Sequence, residues 1–236
     1  MLEPAGPVEG LNGPLQDAAP DFLREVAALT RRAGALLIFD EIITGFRYPQ
    51  GSVQRATGVV PDLACFGKAL SAGMPLSALV GRADVFRAAM GRIYYGPTFK
   101  SEVYSLAAAR EALQFYREHD VPGHIASYGR RLRDGVNQIC RRTGVPAELI
   151  GPPFRMALSF EEPSAHRIDL MRTLVQQELL RQGVLTYLGF MLPSYAHDDE
   201  TLAQTLKAFD HALHELAEAL RRDDFAPRLE IPVVGY

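Results

Sequence analysis

The order of apolar and polar residues predicts alternating helices and strands in the first half of the chain. After Pro20, apolar residues recur at helical spacing and stop at Gly34, which predicts an amphipathic helix of about four turns. The apolar stripe of that helix comprises Phe22, Val26, Leu29 and Ala33. The run over residues 35–39 is apolar throughout, so we expect a strand covered on both faces. The predicted elements that follow are short buried strands over 63–66 and 76–80 and a long alanine-rich helix over 101–119.

The second half of the chain has a different pattern, in which helices predominate. The predicted order is a helix over residues 124–142, a strand over 154–160, a helix over 167–182, an apolar segment over 184–188 and a helix over 198–222. Val121-Pro122-Gly123 is expected to close the preceding long helix, because proline and glycine interrupt helices. We therefore predict two domains, residues 1–120 in an α/β arrangement and residues 121–236 as a smaller α+β unit.

Composition and charge are those of an ordinary globular protein. The 236 residues are 47% hydrophobic and 22% charged, which allows a sizeable core without metals or disulfides. The 25 basic and 28 acidic residues leave a net charge of -3 with no run of like charges. Neither a nucleic acid nor an anionic membrane is therefore expected as a partner.

The sequence also indicates a cytoplasmic location. No apolar stretch approaches the roughly 18 residues of a membrane span, and the first ten residues lack the basic and apolar regions of a signal peptide. Cys65 and Cys140 lie far apart in apolar or helical contexts, so we expect reduced thiols and no disulfide. His211 and His214 are one helical turn apart without a further clustered ligand, and no metal site is predicted.

Two opposite charges follow two of the predicted strands. Asp40 comes directly after Leu36-Leu37-Ile38-Phe39, and Lys68 comes after Leu63-Ala64-Cys65-Phe66-Gly67. Ligands of open α/β sheets gather at the carboxyl ends of the strands, so both residues are candidate ligand contacts at one edge. A structural ion pair and two solvated strand ends are the alternatives that these positions leave open.

The sequence around these two residues resembles a known family. Three blocks carry the resemblance in type, order and spacing: Asp40-Glu41-Ile42-Ile43-Thr44-Gly45-Phe46-Arg47, Gly58-Val59-Val60-Pro61-Asp62-Leu63 and Gly67-Lys68-Ala69-Leu70-Ser71-Ala72-Gly73-Met74-Pro75. They are similar to the class III aminotransferases that use pyridoxal phosphate, particularly the glutamate-1-semialdehyde aminomutase-like branch. The resemblance implies part of a fold type I, aspartate aminotransferase-like large domain, followed by a small α+β C-terminal domain.

The resemblance gives four residues a role at a pyridoxal phosphate site. Asp40 pairs with the pyridine nitrogen of the cofactor and keeps it protonated. Lys68 forms the Schiff base with the cofactor aldehyde and moves the substrate proton. Ile42 packs on the ring face, although an ordinary core isoleucine fits equally well. Thr98, before the long helix, binds the cofactor phosphate of a neighbouring subunit, which implies a homodimer.

Thr98 has an alternative role. Free backbone amides and the helix dipole make the start of a helix an anion site. Thr98 or Ser101 could equally be the N-cap of that helix. The residues that follow, Phe99-Lys100-Ser101-Glu102, depart from the small or amide-bearing pattern of the family.

The resemblance covers nearly the whole chain but only the C-terminal half of the family. By this resemblance, the earlier strands, the cofactor-phosphate loop, the aromatic residue that stacks on the ring and the substrate-carboxylate arginine belong to the other half of the family. Amino-group transfer by an aminotransferase or aminomutase is therefore expected to need that N-terminal half, supplied in trans or in a longer natural chain. The alternatives are a non-catalytic subunit or fragment that binds a partner through an exposed sheet edge, or a racemase or decarboxylase on the same fold. Residues 187–191 are the one candidate substrate contact, with small-domain core as the alternative.

Overall fold

The computed structural model describes residues 1–4, 21–94, 96, 98–100, 102–186 and 189–233. These residues form two compact units, which divide between His124 and Ile125. The first unit carries Asp40, Ile42, Lys68 and Thr98, and the second contains a larger apolar core. None of the described helices is long and apolar enough to cross a membrane.

Helices and strands alternate through most of the first unit. The elements are α1 Phe22–Arg32, β1 Ile38–Asp40, α2 Val53–Thr57, β2 Leu63–Phe66, β3 Ala78–Gly81, α3 Ala83–Ala89 and α4 Val103–Glu118. A 3-10 turn, Lys68–Ser71, follows β2. The strand predicted over residues 63–66 and the long helix before residue 120 are confirmed.

The sheet of the first unit has the order β1-β2-β3. β1 and β2 are parallel, with Ile38 beside Leu63 and Asp40 beside Cys65. β3 runs antiparallel to β2. Because parallel neighbours end at the same edge of a sheet, the residues that follow β1 and β2 emerge side by side.

The apolar core of the first unit covers less of the sheet than the sequence predicts. Phe39 is fully buried, whereas its neighbour Ile38 is only half-buried, so the expectation that β1 is covered on both faces is wrong for the described residues. The third predicted strand is also more exposed than expected, since Leu79 and Val80 are 50% and 45% exposed. The buried core residues are Leu23, Leu37, Phe39, Val53, Val59 and Ala64.

α1 buries only part of the predicted stripe. Val26 packs against the core as expected, whereas Phe22 and Leu29 are exposed and Leu23, outside the stripe, is the buried residue. The stop at Gly34 is confirmed, because this residue has a φ of 65° and Ala35 N donates to Thr30 O at 2.9 Å. Pro20 lies outside the described residues.

Val121-Pro122-Gly123 begins a helix instead of closing one. α5 spans Val121–Thr143, and the Asp120 carboxylate accepts a hydrogen bond from Gly123 N at 3.0 Å. Proline is tolerated in the first turn of a helix, where its missing N–H would have no helical partner. A proline and a glycine usually indicate the end of a helix. Here they lie in the first turn of one, because the preceding aspartate caps it.

The second unit combines three helices with an antiparallel sheet of order β4-β5-β6. Its elements after α5 are β4 Ala147–Ile150, β5 Met156–Phe160, α6 Ala165–Arg181, β6 Phe190–Met191 and α7 Asp199–Arg222. The strand predicted over 154–160 and both later helices are confirmed, with small shifts of their ends. Residues 184–186 are not in a strand, and Tyr187 and Leu188 lie outside the described residues.

β4 is absent from the sequence prediction. Its four residues include the polar Glu148, and the strand owes part of its stability to a side chain from α5. Asn137 accepts a hydrogen bond from Leu149 N at 2.7 Å and donates to Leu149 O at 3.2 Å. This contact satisfies the buried backbone of a strand that local periodicity does not indicate.

Asp62 connects the ends of the first sheet. Its carboxylate accepts hydrogen bonds from Leu37 N at 2.8 Å and from Arg82 Nη1 at 2.6 Å. Leu37 precedes β1 and Arg82 follows β3, so one side chain joins both outer strands to the start of β2. The Leu37 amide, and after it the Arg82 guanidinium, hold the pKa of Asp62 below its ordinary value.

We predict that Asp62→Asn lowers the free energy of unfolding by about 1 kcal/mol near neutral pH, because a charge-assisted bond is lost from a partly exposed site. The lowered pKa means that this stabilisation is present above 3.8, the ordinary value, and is lost as the pH falls through the folded value. Denaturant unfolding of both proteins at neutral and acidic pH measures it. Asp84→Asn, which changes another partner of Arg82, is the matched control. A difference that grows on acidification contradicts the assignment.

Candidate active site

Asp40 and Lys68 lie at one edge of the first sheet. Asp40 is the last residue of β1. Lys68 begins the 3-10 turn, and Gly67 alone separates it from the end of β2. Asp40 is half-buried and Lys68 is exposed, and in the described part of the chain they form no ion pair with each other. The structure therefore does not support the structural ion pair that the sequence left open.

Asp40 also sets the environment of the residue beside it. Its Oδ1 accepts a hydrogen bond from Ile42 N at 3.1 Å, which orients the carboxylate at the strand end. Cys65, its register partner on β2, is a free thiol, and burial together with the Asp40 charge raises the pKa of this thiol. Cys140, in the second unit, is also free.

Ile42 packs against the backbone that leads into Lys68. A Cβ built on Gly67 would lie 3.4 Å from Ile42 Cγ2 and 3.7 Å from Ile42 Cγ1. The half-buried isoleucine therefore covers the peptide between β2 and the 3-10 turn. A carboxylate, an apolar side chain and an amine are thus placed in succession along one edge of the sheet.

The turn that carries Lys68 is held by its own buried residues. Ala69, Leu70 and Ser71 are buried, and the Ser71 hydroxyl donates to Met74 O. Lys68 has a φ of 44°, in the left-handed region that non-glycine residues rarely adopt. Such a conformation persists only where surrounding contacts impose it, so the main chain fixes the base of an exposed lysine.

An aromatic cluster joins this turn to the loop that follows Asp40. Phe46 stacks on Tyr116 of α4 with ring centroids 5.3 Å apart, and contacts Phe66 edge-on at 5.8 Å. Tyr116 donates its hydroxyl to Ala69 O at 3.2 Å. Burial raises the pKa of Tyr116, so the hydroxyl keeps the proton that it donates. Gly45 permits this approach, because a Cβ there would lie 2.5 Å from the Phe66 ring.

Glu41 organises the same loop from inside the protein. Its side chain is fully buried, and Oε2 accepts hydrogen bonds from Val53 N at 2.8 Å and from the Thr44 hydroxyl at 3.1 Å. Oε1 accepts from the Gln54 side chain at 3.1 Å. A buried carboxylate with this many donors fixes the path of the chain directly after Asp40. In the sequence, Glu41 is recognised only as part of the motif Asp40–Arg47, and nothing there indicates that its side chain is buried and holds the loop.

Thr98 lies apart from this arrangement. It is exposed in a turn before α4, and no described contact joins it to Asp40 or Lys68. The N-cap of α4 is Glu102, whose carboxylate accepts from Tyr104 N and Ser105 N. The helix-start amides expected to be free for an anion are therefore bonded to an acidic side chain. Ser101, the other candidate N-cap, lies outside the described residues.

The remaining candidates belong to the second unit. Phe190 and Met191 are buried there, which supports small-domain core for that part of the 187–191 segment. His211 lies 3.3 Å from a Glu178 oxygen. The described residues contain no cluster of three or more side chains that could hold a metal ion.

Comparison with known proteins gives a consistent result. A family model described as Aminotransferase class-III matches residues 1–213. Glutamate-1-semialdehyde 2,1-aminomutase of Thermomicrobium roseum is 34% identical over 223 residues, which are 89% of this chain and 52% of that protein. The 3-aminobutyryl-CoA aminotransferase of Cloacimonas acidaminovorans is 30% identical over 93% of this chain and 53% of its own length.

Solved structures agree with the sequence relatives. The FumI protein of Sphingopyxis sp. MTA144, in its PLP internal aldimine form, matches with a TM-score of 0.79 and 27% identity, over 88% of this chain and 49% of that chain. An omega-transaminase from Sphaerobacter thermophilus matches with a TM-score of 0.74 and 26% identity, over 86% and 49%. The chain thus spans about half the length of the relatives that it matches.

We predict that Glu41→Gln lowers the free energy of unfolding by about 2–3 kcal/mol, because an amide turns one NH2 group toward backbone and side-chain donors in a buried site. Denaturant unfolding measures the loss, and hydrogen exchange should accelerate over residues 41–54. Glu25→Gln, on the exposed face of α1, is the matched control and should change stability by less than about 0.5 kcal/mol. Equal effects of the two substitutions would show that Glu41 does not hold the loop.

Proposed function

Because this chain belongs to the class-III aminotransferase family, we propose that it takes part in the transfer of amino groups with pyridoxal phosphate as cofactor. Its α/β architecture is part of a fold type I transferase domain. The observation that carries the proposal is the placement of Asp40 and Lys68 at the ends of adjacent parallel strands, with Ile42 packed beside them. Both names of the sequence relatives, an aminomutase and an aminotransferase, are compatible with it.

The donor set at this edge fits the cofactor. A carboxylate suits a protonated ring nitrogen, a primary amine suits an aldehyde, and an aliphatic side chain suits the face of an aromatic ring. Asp40, Lys68 and Ile42 supply these groups from one sheet edge, and the small Gly67 leaves the approach to Lys68 free of a side chain. Thr98 is kept as a proposed phosphate ligand across a dimer interface, on the family resemblance.

The residues of this chain have separate tasks in the proposed reaction. When bound, pyridoxal phosphate supplies an aldehyde and an electron-withdrawing ring that ease removal of a proton from the carbon bearing the amino group. The Asp40 carboxylate would accept a hydrogen bond from the ring nitrogen and favour its charged form. Lys68 Nζ would hold the cofactor by its aldehyde group and, once free of it, would take and return the proton of the substrate carbon.

We also propose that a complementing polypeptide, corresponding to the other half of the relatives, completes the site. The chain spans about half of their length. The segment between residues 90 and 104 exposes apolar side chains of a kind that usually mark an interaction surface. Its large exposed apolar residues are Met90, Ile93, Tyr94, Phe99, Val103 and Tyr104. Contact with a second copy of this chain, in a homodimer, is the other way in which this apolar segment could be covered.

A cytoplasmic location stays a prediction from the sequence.

We retain the predicted domain boundary near residue 120. The division of the described chain into compact units between His124 and Ile125 supports a boundary in this part of the sequence. We propose, from the family resemblance, that the second unit corresponds to the small C-terminal domain of the class III aminotransferases.

Covalent trapping tests the proposal, because the chain has three lysines, Lys68, Lys100 and Lys207. Borohydride reduction with pyridoxal phosphate should place a stable adduct on Lys68, while Lys100 and Lys207 stay near background in peptide mass spectra. Lys68→Arg should reduce total labelling about tenfold, since the reactive amine is removed. Lys207→Arg is the matched control and should label like the unmodified protein.

Equal labelling of the three lysines, or labelling that survives Lys68→Arg, would refute a specific role for Lys68. A biological role that is unchanged by Lys68→Ala would favour the non-catalytic subunit, which the half-length of the chain makes the second candidate.

A further inference from the structure

We propose that the second unit binds one water molecule in an internal site, between Gln176 of α6 and Thr186 in the segment that leads to β6. The water would make the hydrogen bonds that Gln176 Oε1 and Thr186 Oγ1 lack among the described residues. This site belongs to the second unit, whereas Asp40 and Lys68 belong to the first, and it does not depend on the proposed function.

Two buried polar atoms indicate the site. Gln176 Oε1 and Thr186 Oγ1 are shielded from solvent and have no hydrogen-bond partner among the groups that the structure describes. Thr186 is only 6% exposed. A buried hydroxyl or amide oxygen without a partner loses its hydration without compensation, so native proteins pair such atoms with protein groups or with ordered water.

The orientation of the Gln176 amide is fixed by its other contact. Gln176 Nε2 donates to Thr186 O at 3.2 Å. A carbonyl oxygen can only accept, so the nitrogen and not the oxygen of the amide must face it. Gln176 Oε1 is therefore an acceptor that needs a donor. Thr186 lines the same cavity, and its hydroxyl can donate or accept.

A cavity lined by both residues has room for about one water molecule. A cavity of about 10 Å³, measured as the volume in which the centre of a water can lie, is lined by both residues. This is close to the smallest volume that holds a single water, and it excludes larger ligands. The other walls are mostly apolar and include Leu158, Phe160, Val175, Leu179, Met191 and Phe209. Arg172 and Gly189 complete the lining, and Gln176 and Thr186 contribute the two polar atoms that lack a partner among the described residues.

The bound water would fix the connection between α6 and β6. Gly183 has a φ of 79° and begins a segment whose described residues 184–186 belong to no regular element. Val184 packs against the core and donates its N–H to Leu179 O at 2.9 Å, whereas Leu185, the residue before Thr186, is 84% exposed. The direct bond from Gln176 and the water bridge together attach Thr186 to the helix, through both its main chain and its side chain.

A high-resolution crystal structure of the full chain tests the proposal. We expect one ordered water within hydrogen-bond distance, about 2.7–3.2 Å, of both Gln176 Oε1 and Thr186 Oγ1. In solution, NMR should show a rotating-frame Overhauser contact between a long-lived water and the Thr186 methyl group. A site without water density, or a Thr186 hydroxyl bonded directly to a protein carbonyl, would overturn the proposal.

Substitutions provide a second, independent measurement. Thr186→Val keeps the shape but removes the hydroxyl, and it should abolish the Overhauser contact and the water density. Thr186→Ser keeps a hydroxyl at this position and should keep the density of the bound water. Thr205→Val is the matched control, because the Thr205 hydroxyl already donates to Thr201 O at 2.7 Å in the same unit, and it should leave the water in place. Water that persists in Thr186→Val would show that Thr186 does not bind it.

Discussion

The candidate site depends on the parallel pairing of β1 with β2. This pairing sets Asp40 beside Cys65, so the carboxylate lies only a few residues from the turn that begins at Lys68. An antiparallel pair would send the ends of the two strands to opposite edges, and a register shift of one residue would turn Asp40 to the other face. The geometry therefore follows from one backbone ladder rather than from direct contact between the two charges.

The contacts around this ladder hold both loops without using the candidate residues. Glu41 fixes the chain after Asp40 through buried hydrogen bonds, and the cluster of Phe46, Phe66 and Tyr116 joins that loop to the turn after β2. Asp40 is half-buried and Lys68 is exposed, while the contacts of their neighbours fix the main chain at both residues. This is the arrangement expected of groups that bind a ligand, because rigid neighbours position them in advance.

Sequence patterns predict the parts of this structure that local chemistry controls. The strand before Gly67 and the stop at Gly34 follow from periodicity and from glycine, and the apolar run before Asp40 predicts a strand there, although β1 begins only at Ile38. The start of α5 at Val121-Pro122-Gly123 and the strand β4 do not, since a capping aspartate and a distant asparagine determine them. Likewise, the motif places Asp40, Ile42 and Lys68 together, whereas the buried bonds of Glu41, the Tyr116 contact and the Glu102 cap arise from tertiary contacts that spacing does not encode.

The ring-nitrogen NMR signal of labelled pyridoxal phosphate tests the central claim, that Asp40 and Lys68 act on one cofactor from adjacent strands. With nitrogen-15 at that position, the account predicts a protonated nitrogen at neutral pH in the unmodified protein and a deprotonated one in Asp40→Asn, with the cofactor still attached to Lys68 in both. The same protonation state in the two proteins, or attachment to another lysine, would contradict it.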